Sequence, residues 1–267
     1  MLKDITLGQF FPGDTVVHRL DPRTKLLLTI IYIAALFTAK SFVSYALMLC
    51  TLATIILLSR IKLKVILKSL KPMLFIIAFA VLLNLLYSEG EPLVEFWVFK
   101  ITVEGIVRAT FMMLRISMLI TGTFLLTYTT SPIALTDGLE LLLNPLKKIR
   151  LPIHELAMMM SMALRFIPSL IEEADKIMSA QKARGASFDT GSLAERARAL
   201  LPLLVPLFVS AIRRADELAD AMDCRCYTGG EGRTRMKQLH MQRVDTMALV
   251  QGLVLLGGVI TLAVFGL

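Results

Sequence analysis

Residues 60–100 read RIKLKVILKSLKPMLFIIAFAVLLNLLYSEGEPLVEFWVFK, and the class of protein turns on this stretch. An apolar run over 73–87 is bounded on one side by Arg60, Lys62, Lys64, Lys68 and Lys71 with no acid among them. On the other side stand Glu89, Glu91 and Glu95 against a single Lys100. Basic loops are retained on the cytoplasmic side of a bilayer, so this asymmetry reads as a membrane crossing. The segment 60–71 is then predicted inside, together with the N-terminus, and 88–100 outside.

Outward from that run, further apolar runs lie at 26–39, 42–59, roughly 104–128 and 246–267. The first and third fall short of the ~20 residues a perpendicular span needs. Both can borrow flanking residues, because Lys and Arg side chains snorkel to the interface. Five spans are predicted. The composition agrees: 56% of the 267 residues are hydrophobic, with a mean hydropathy of +0.70, more than the core of a soluble domain requires. Charged residues nonetheless make up 19%, most of them between 129 and 245, which calls for a water-exposed part. The expected architecture is an all-α membrane protein of about five transmembrane helices with a cytoplasmic helical domain. Its parts are 1–128 (the N-terminal segment and helices 1–4), 129–245 (the cytoplasmic domain) and 246–267 (a C-terminal span ending outside).

The N-terminus lacks the short apolar core and cleavage site of a signal peptide and is expected to be retained. The net charge of +8 is distributed as loops flanking spans distribute it, so nucleic acid is not called for. Cys50, Cys224 and Cys226 make no disulfide framework.

Residues 129–245 show no strand alternation. Ser131-Pro132 opens a helix, Asn144-Pro145 stops it, Leu151-Pro152 opens the next, and Pro168, Pro202 and Pro206 are expected to break or start later ones. ALLPLLVPLFVSAI, 199–212, is too short and proline-rich for a span and reads as a buried or interfacial helical segment.

Catalytic motifs fail one by one. HELAM, 154–158, has Met158 where a zinc-protease helix needs its second histidine. GASFD, 185–189, has Asp189 where a nucleophile elbow needs glycine. GEGRT, 230–234, lacks the glycine and lysine of a phosphate loop, with Tyr227 and Arg233 in their places. The chain is therefore not expected to hydrolyse ATP, and no catalytic, cofactor or metal residue is assigned. Cys224 and Cys226 form a C-x-C pair, but zinc wants four ligands and only His240 is near in sequence; they read as compact residues beside Arg225. Arg108 and Arg115 share a face of the fourth apolar run, either as a functional site or as a partner for a neighbouring helix. Met158, Met159, Met160 and Met162 in LAMMMSMALRF are either core filling or an adaptable contact surface.

One internal similarity matters more. A shift of forty-one residues aligns IEEADKIMSAQKARG, 171–185, with IRRADELADAMDCRC, 212–226, matching Ile171 to Ile212, Ala174 to Ala215, Asp175 to Asp216, Ala180 to Ala221 and Arg184 to Arg225. Glu172 and Glu173 in one copy correspond to Arg213 and Arg214 in the other, so two crossing helices would pair by charge. The alternative is two unrelated solvated helices that share common helix formers. A lone arginine at a helix end reads as a cap. Two such ends, Ala183-Arg184-Gly185 and Cys224-Arg225-Cys226, read as two prongs offering planar guanidinium groups to a partner.

Taken with FPGDTVVHRLDPRTK, TTSPIALTDGLELLLNPL, ALRFIPSLIEEADKIMSAQKARG, LPLLVPLFVSAIRRADELADAMDCRCY and the following RT, the chain resembles, over nearly its whole length, the transmembrane T component of energy-coupling factor transporters, the EcfT or CbiQ type. The resemblance implies a non-catalytic scaffold in a prokaryotic cell membrane that couples two ATP-binding-cassette subunits to a small substrate-binding S component for micronutrient import, a vitamin or a transition metal. Ala183, Arg184 and Gly185 match the family's first Ala-Arg-Gly docking motif. Cys224 and Cys226 depart from the second, where only Arg225 and Tyr227 keep the pattern. A non-glycine at the helix-ending position costs about 1 kcal/mol if the left-handed turn is kept. Two other readings remain at this point: a membrane enzyme using Arg108 and Arg115 on a lipid phosphate, and a permease with its own polar site, for which Asn84 is the main candidate.

Overall fold

The computed structural model describes residues 10–87, 92–96, 99–186, 192–230 and 238–265. Two compact units emerge: residues 143–238 form one, and the rest of the described chain forms the other.

In the larger unit, local chemistry sets several helix starts. α1 spans Val16–Arg19, and α2 spans Pro22–Thr38. Pro22 opens α2 because its missing N–H would be unpaired there anyway, and Asp21 accepts the Arg23 N–H at 2.9 Å. Ser41 caps α3, Phe42–Ser59, and Thr102 caps α6, Val103–Thr129. Between these lie α4, Leu63–Leu70, a 3₁₀ turn over Lys71–Met73, and α5, Leu74–Tyr87. A short antiparallel hairpin, β1 Pro92–Phe96 and β2 Phe99–Thr102, precedes α6. α7, Pro132–Leu143, follows it. After α8, Ile153–Ala183, and α9, Leu193–Asp223, which belong to the smaller unit, α10 spans Arg243–Phe265.

Among the described residues, four helical stretches are long and apolar enough to cross a bilayer: Phe42–Ser59, Leu63–Leu85, Val103–Thr129 and Arg243–Phe265. α2, with 17 residues, is a shorter fifth apolar helix packed along α10 and α6. The core joins Leu36 of α2 and Ala39 just past its end to Tyr45 and Met48 of α3, Met118 and Leu125 of α6 and Val259 of α10. Gly252 and Gly122 permit close approach to α2, since a Cβ would sit 2.6 Å from the Leu28 side chain at the first and 2.7 Å from the Tyr32 ring at the second.

Two expectations need correction. The basic segment 60–71 is largely helix rather than loop: Leu63, Ile66, Leu67 and Leu70 recur at helical spacing and no breaker intervenes before Pro72. Pro168, Pro202 and Pro206 lie inside the two long helices instead of dividing them. A proline removes one backbone bond and crowds the preceding turn, at a cost of about 3 kcal/mol, yet its fixed φ suits a helix that bends and continues. Glu89 and Glu91, the start of the acidic segment used to orient the chain, lie outside the described residues.

A buried polar knot gathers several helix ends. Asp245, 1% exposed, accepts the Gln242 N–H at the start of its own helix and the Asp21 N–H at the start of α2, each at 2.8 Å. The Lys25 ammonium donates to the Thr129 carbonyl at the end of α6 (2.9 Å) and to the His18 carbonyl in α1 (3.1 Å). Phe11 completes this level: its N–H donates to the Tyr128 carbonyl at 3.0 Å and its ring meets the Tyr128 ring edge-on. His18 Nε2–H donates to the Phe11 carbonyl (3.1 Å), and burial lowers the pKa of this imidazole.

Arg115 and Arg108 have separate fates. Arg115 donates to the Tyr45 hydroxyl (2.9 Å) and to the carbonyl of Ala39 (3.0 Å), the residue that ends α2, and its guanidinium lies near the Phe37 and Tyr45 rings. It therefore serves a neighbouring helix end, where a positive charge is favoured. Arg108 is 64% exposed and, among the described residues, pairs with Glu104, one turn back, at 3.9 Å. Asn84 Nδ2 donates to the Ala80 carbonyl of its own helix at 3.1 Å.

Replacing Arg115 by leucine strands a hydroxyl and a helix-end carbonyl. The expected cost is about 2–3 kcal/mol, read as a clear fall in the melting temperature of the detergent-solubilised chain. Arg108→Leu should leave that temperature within error. Equal effects from both would contradict the assignment.

Candidate functional site

The smaller unit is built on α8 and α9, each of 31 residues. They meet through repeat-equivalent positions: Arg214 Nη2 donates to Glu173 Oε2 at 2.7 Å, and Arg214 Nη1 donates to Ser169 Oγ at 2.6 Å. The charge inversion between the two copies thus marks a real crossing. From Glu173 to Arg184, and from Arg214 to Arg225, the chain runs the same eleven residues. Each arginine therefore stands about 16 Å along its helix from the crossing. The pair is about a quarter to a third exposed, so it fixes where the helices meet more than it adds stability, about 1 kcal/mol at most.

Both helices end in the same way. At the first end, Gly185 N–H donates to the Lys182 carbonyl (3.0 Å) and Ala186 N–H to the Gln181 carbonyl (3.0 Å). At the second, Cys226 N–H donates to the Asp223 carbonyl (2.9 Å) and Tyr227 N–H to the Met222 carbonyl (3.1 Å). Every donor and acceptor is displaced by forty-one positions, and both sets form the Schellman closure, which requires a left-handed residue just past the helix. Gly185 supplies it at φ 90 and Cys226 at φ 52. The departure from glycine at 226 has not altered the backbone.

This closure bears on the arginines. Backbone N–H groups already satisfy the carbonyls of Gln181, Lys182, Met222 and Asp223, so neither guanidinium is needed as a cap. Arg184 and Arg225 are both exposed, as are Ala183, Gly185, Cys224 and Cys226 around them. Each tip presents five N–H donors framed by compact side chains, a fit for carboxylates or carbonyls on a partner. Of the four nominated methionines, Met159 and Met160 are exposed while Met158 and Met162 are half-buried. Leu201, Leu204, Val205, Phe208 and Val209 of α9 are also exposed, an apolar surface that the proline-rich sequence 199–212 did not announce. Its signal was available: these residues recur at helical spacing once the prolines are read through rather than taken as breaks. Gly230 sits where a Cβ would lie 2.2 Å from the His154 ring, so the chain leaving the second tip returns closely onto the start of α8. Among the described residues no group of three or more His, Cys, Asp or Glu is placed to hold a metal ion.

A left-handed cysteine carries strain that glycine would not. Cys226→Gly is expected to stabilise the chain by roughly 0.5–1 kcal/mol, and Gly185→Ala to destabilise it by about 1 kcal/mol, with no steric term because a Cβ at 185 meets nothing within 4 Å. Thermal melting of both variants checks this; a Gly185→Ala variant as stable as the parent would contradict the matched closures.

Comparison with known proteins shows the family. The family model described as cobalt transport protein, CbiQ, matches residues 13–236. The energy-coupling factor transporter transmembrane protein EcfT of Thermosediminibacter oceani is 52% identical over 261 residues, covering 97% of this chain and 98% of the relative. The proteins of that name from Heliobacterium modesticaldum and Bacillus subtilis are 54% and 47% identical, covering 92% and 96% of this chain and 92% and 97% of theirs. The family match runs through both helix tips, and the chain belongs to the CbiQ family, with energy-coupling factor transporter transmembrane proteins as its relatives.

Proposed function

We propose that this chain is the non-catalytic coupling subunit of an ATP-driven importer, with Arg184 and Arg225 each seated in a separate ATPase subunit. The observation that carries the reading is the matched pair of exposed tips, closed by the same backbone bonds and equidistant from one crossing. Two equivalent prongs suit two equivalent sockets, as a pair of like ATPase subunits would provide. ATP is bound and hydrolysed by those subunits. Ala183, Gly185, Cys224 and Cys226 line the two contacts and keep them narrow. A membrane S component that selects a micronutrient, in this reading a vitamin, packs against the smaller unit, with Met158, Met159, Met160 and Met162 among its contacts. The exposed apolar residues of α9 support a partner of membrane character. The coupling domain comprises 129–245, flanked by spans within 1–128 and 246–267.

Orientation follows from charge: the N-terminus and 129–245 are cytoplasmic, and the segment after α5 faces outward. Cysteine placed at Ser88 in a cysteine-free background should react with an impermeant thiol reagent on intact cells. Protection there would reverse the orientation.

Truncating a charged group buried at an interface costs about 2–5 kcal/mol, enough to weaken docking by one or more orders of magnitude. Arg184→Ala or Arg225→Ala should each lower uptake by the reconstituted complex, and the double variant should abolish it or release the ATPases on purification. Lysine should rescue in part, since a point charge does not reproduce the planar fork. A double alanine variant that retains both ATPases and transports at the parental rate would sink the proposal.

A further inference from the structure

From Pro22 to Ser88 the chain contains no Asp or Glu, while Arg60, Lys62, Lys64, Lys68 and Lys71 fall within a dozen positions of one another. The structure arranges part of this charge. Lys64, Lys68 and Lys71 recur at i, i+4 and i+7 over α4 and the turn that continues it, which places them on one stripe, and all three are exposed. Beside that stripe lie Leu63, Leu67 and Leu74, 64%, 65% and 56% exposed. The opposite face is fixed against the protein: Ile66 is buried, and Ser69 Oγ is hydrogen-bonded to the Tyr128 hydroxyl of α6. The lysines therefore cannot turn inward. No ion pair joins any of them to a described residue.

We propose that this lysine stripe of α4 binds the headgroups of anionic phospholipids. Three features favour lipid over an acidic protein surface. First, α4 is the charged start of a stretch, Leu63–Leu85, that is otherwise apolar enough to cross the bilayer, so the stripe lies where an apolar span gives way to headgroups. Second, Lys64 to Lys71 covers about 10 Å of helix, comparable with the polar zone at one face of a bilayer. Third, the flanking leucines occupy the place of an acyl-facing edge, leaving the lysine stems to run along apolar surface and their ammonium groups to reach phosphate. Each lysine near an anionic surface raises occupancy roughly fivefold, an effect that salt screens.

The test uses the purified full chain in a nonionic detergent, titrated with phosphatidylglycerol or phosphatidylcholine, with retained lipids counted by native mass spectrometry. The unmodified chain should retain phosphatidylglycerol preferentially, and the preference should fall as salt is raised. Single changes, Lys64→Gln, Lys68→Gln or Lys71→Gln, should each lower it several-fold, and the triple change should bring the two lipids near parity. The triple change to arginine should keep the preference, and Lys147→Gln with Lys148→Gln should not alter it. The proposal is overturned if the unmodified chain shows no preference or a salt-independent one, or if the glutamine variants retain it. It is equally overturned if those variants keep the lipid preference but lose a co-purifying protein, which would make the stripe a protein contact.

Discussion

Asp245 is the constraint on which the membrane unit depends. A single carboxylate, almost wholly buried, takes the N–H groups at the starts of two helices that are more than 200 residues apart in sequence. Lys25, one turn into the first of these helices, takes the carbonyl that ends a third. Opposite charges are thereby held at one level together with the backbone groups that helix ends leave unpaired. Once α2, α6 and α10 are tied there, the apolar residues further along them are brought into register, and Tyr32, Leu36, Met118, Leu125 and Val259 can close a core. Helices in a bilayer gain little from hydrophobic association alone, so such polar ties and close contacts decide which faces meet.

Much of this was legible in the sequence, and the reasons differ from part to part. The helix start at Pro132 follows from proline's preference for the first turn, and the pairing of Glu173 with Arg214 follows from inverted charges in a repeat. The partners of Arg115 were not legible as particular residues, because a helix-ending carbonyl such as that of Ala39 carries no sequence label. The interior prolines were misread for a related cause: local rules give their cost but not the packing of two 31-residue helices that offsets it. The short hairpin before α6 was not legible, because its strands, PLVEF and FKIT, are only five and four residues long and leave little room for a regular alternation.

The second helix tip shows how far a motif can drift while its geometry stays. Sequence comparison alone sees Cys-Arg-Cys in place of Ala-Arg-Gly and leaves the turn in doubt. The backbone resolves it, because a left-handed conformation is accessible to a non-glycine residue at a cost of about 1 kcal/mol, and the two hydrogen bonds that close the second tip reproduce those of the first position by position. What is retained is the direction in which Arg225 leaves the helix.

That substitution also breaks a chemical symmetry. The two tips are alike in backbone, in length from the crossing and in their central arginine, yet only the second carries thiols. Cys224 and Cys226 are exposed, and the one other cysteine, Cys50, sits within the apolar helix α3. A polar alkylating reagent in water thus meets one tip and not the other, so spectroscopic labels can be attached at Cys224 and Cys226, on either side of Arg225, without touching Arg184, and two otherwise equivalent ends become separately observable in the native chain.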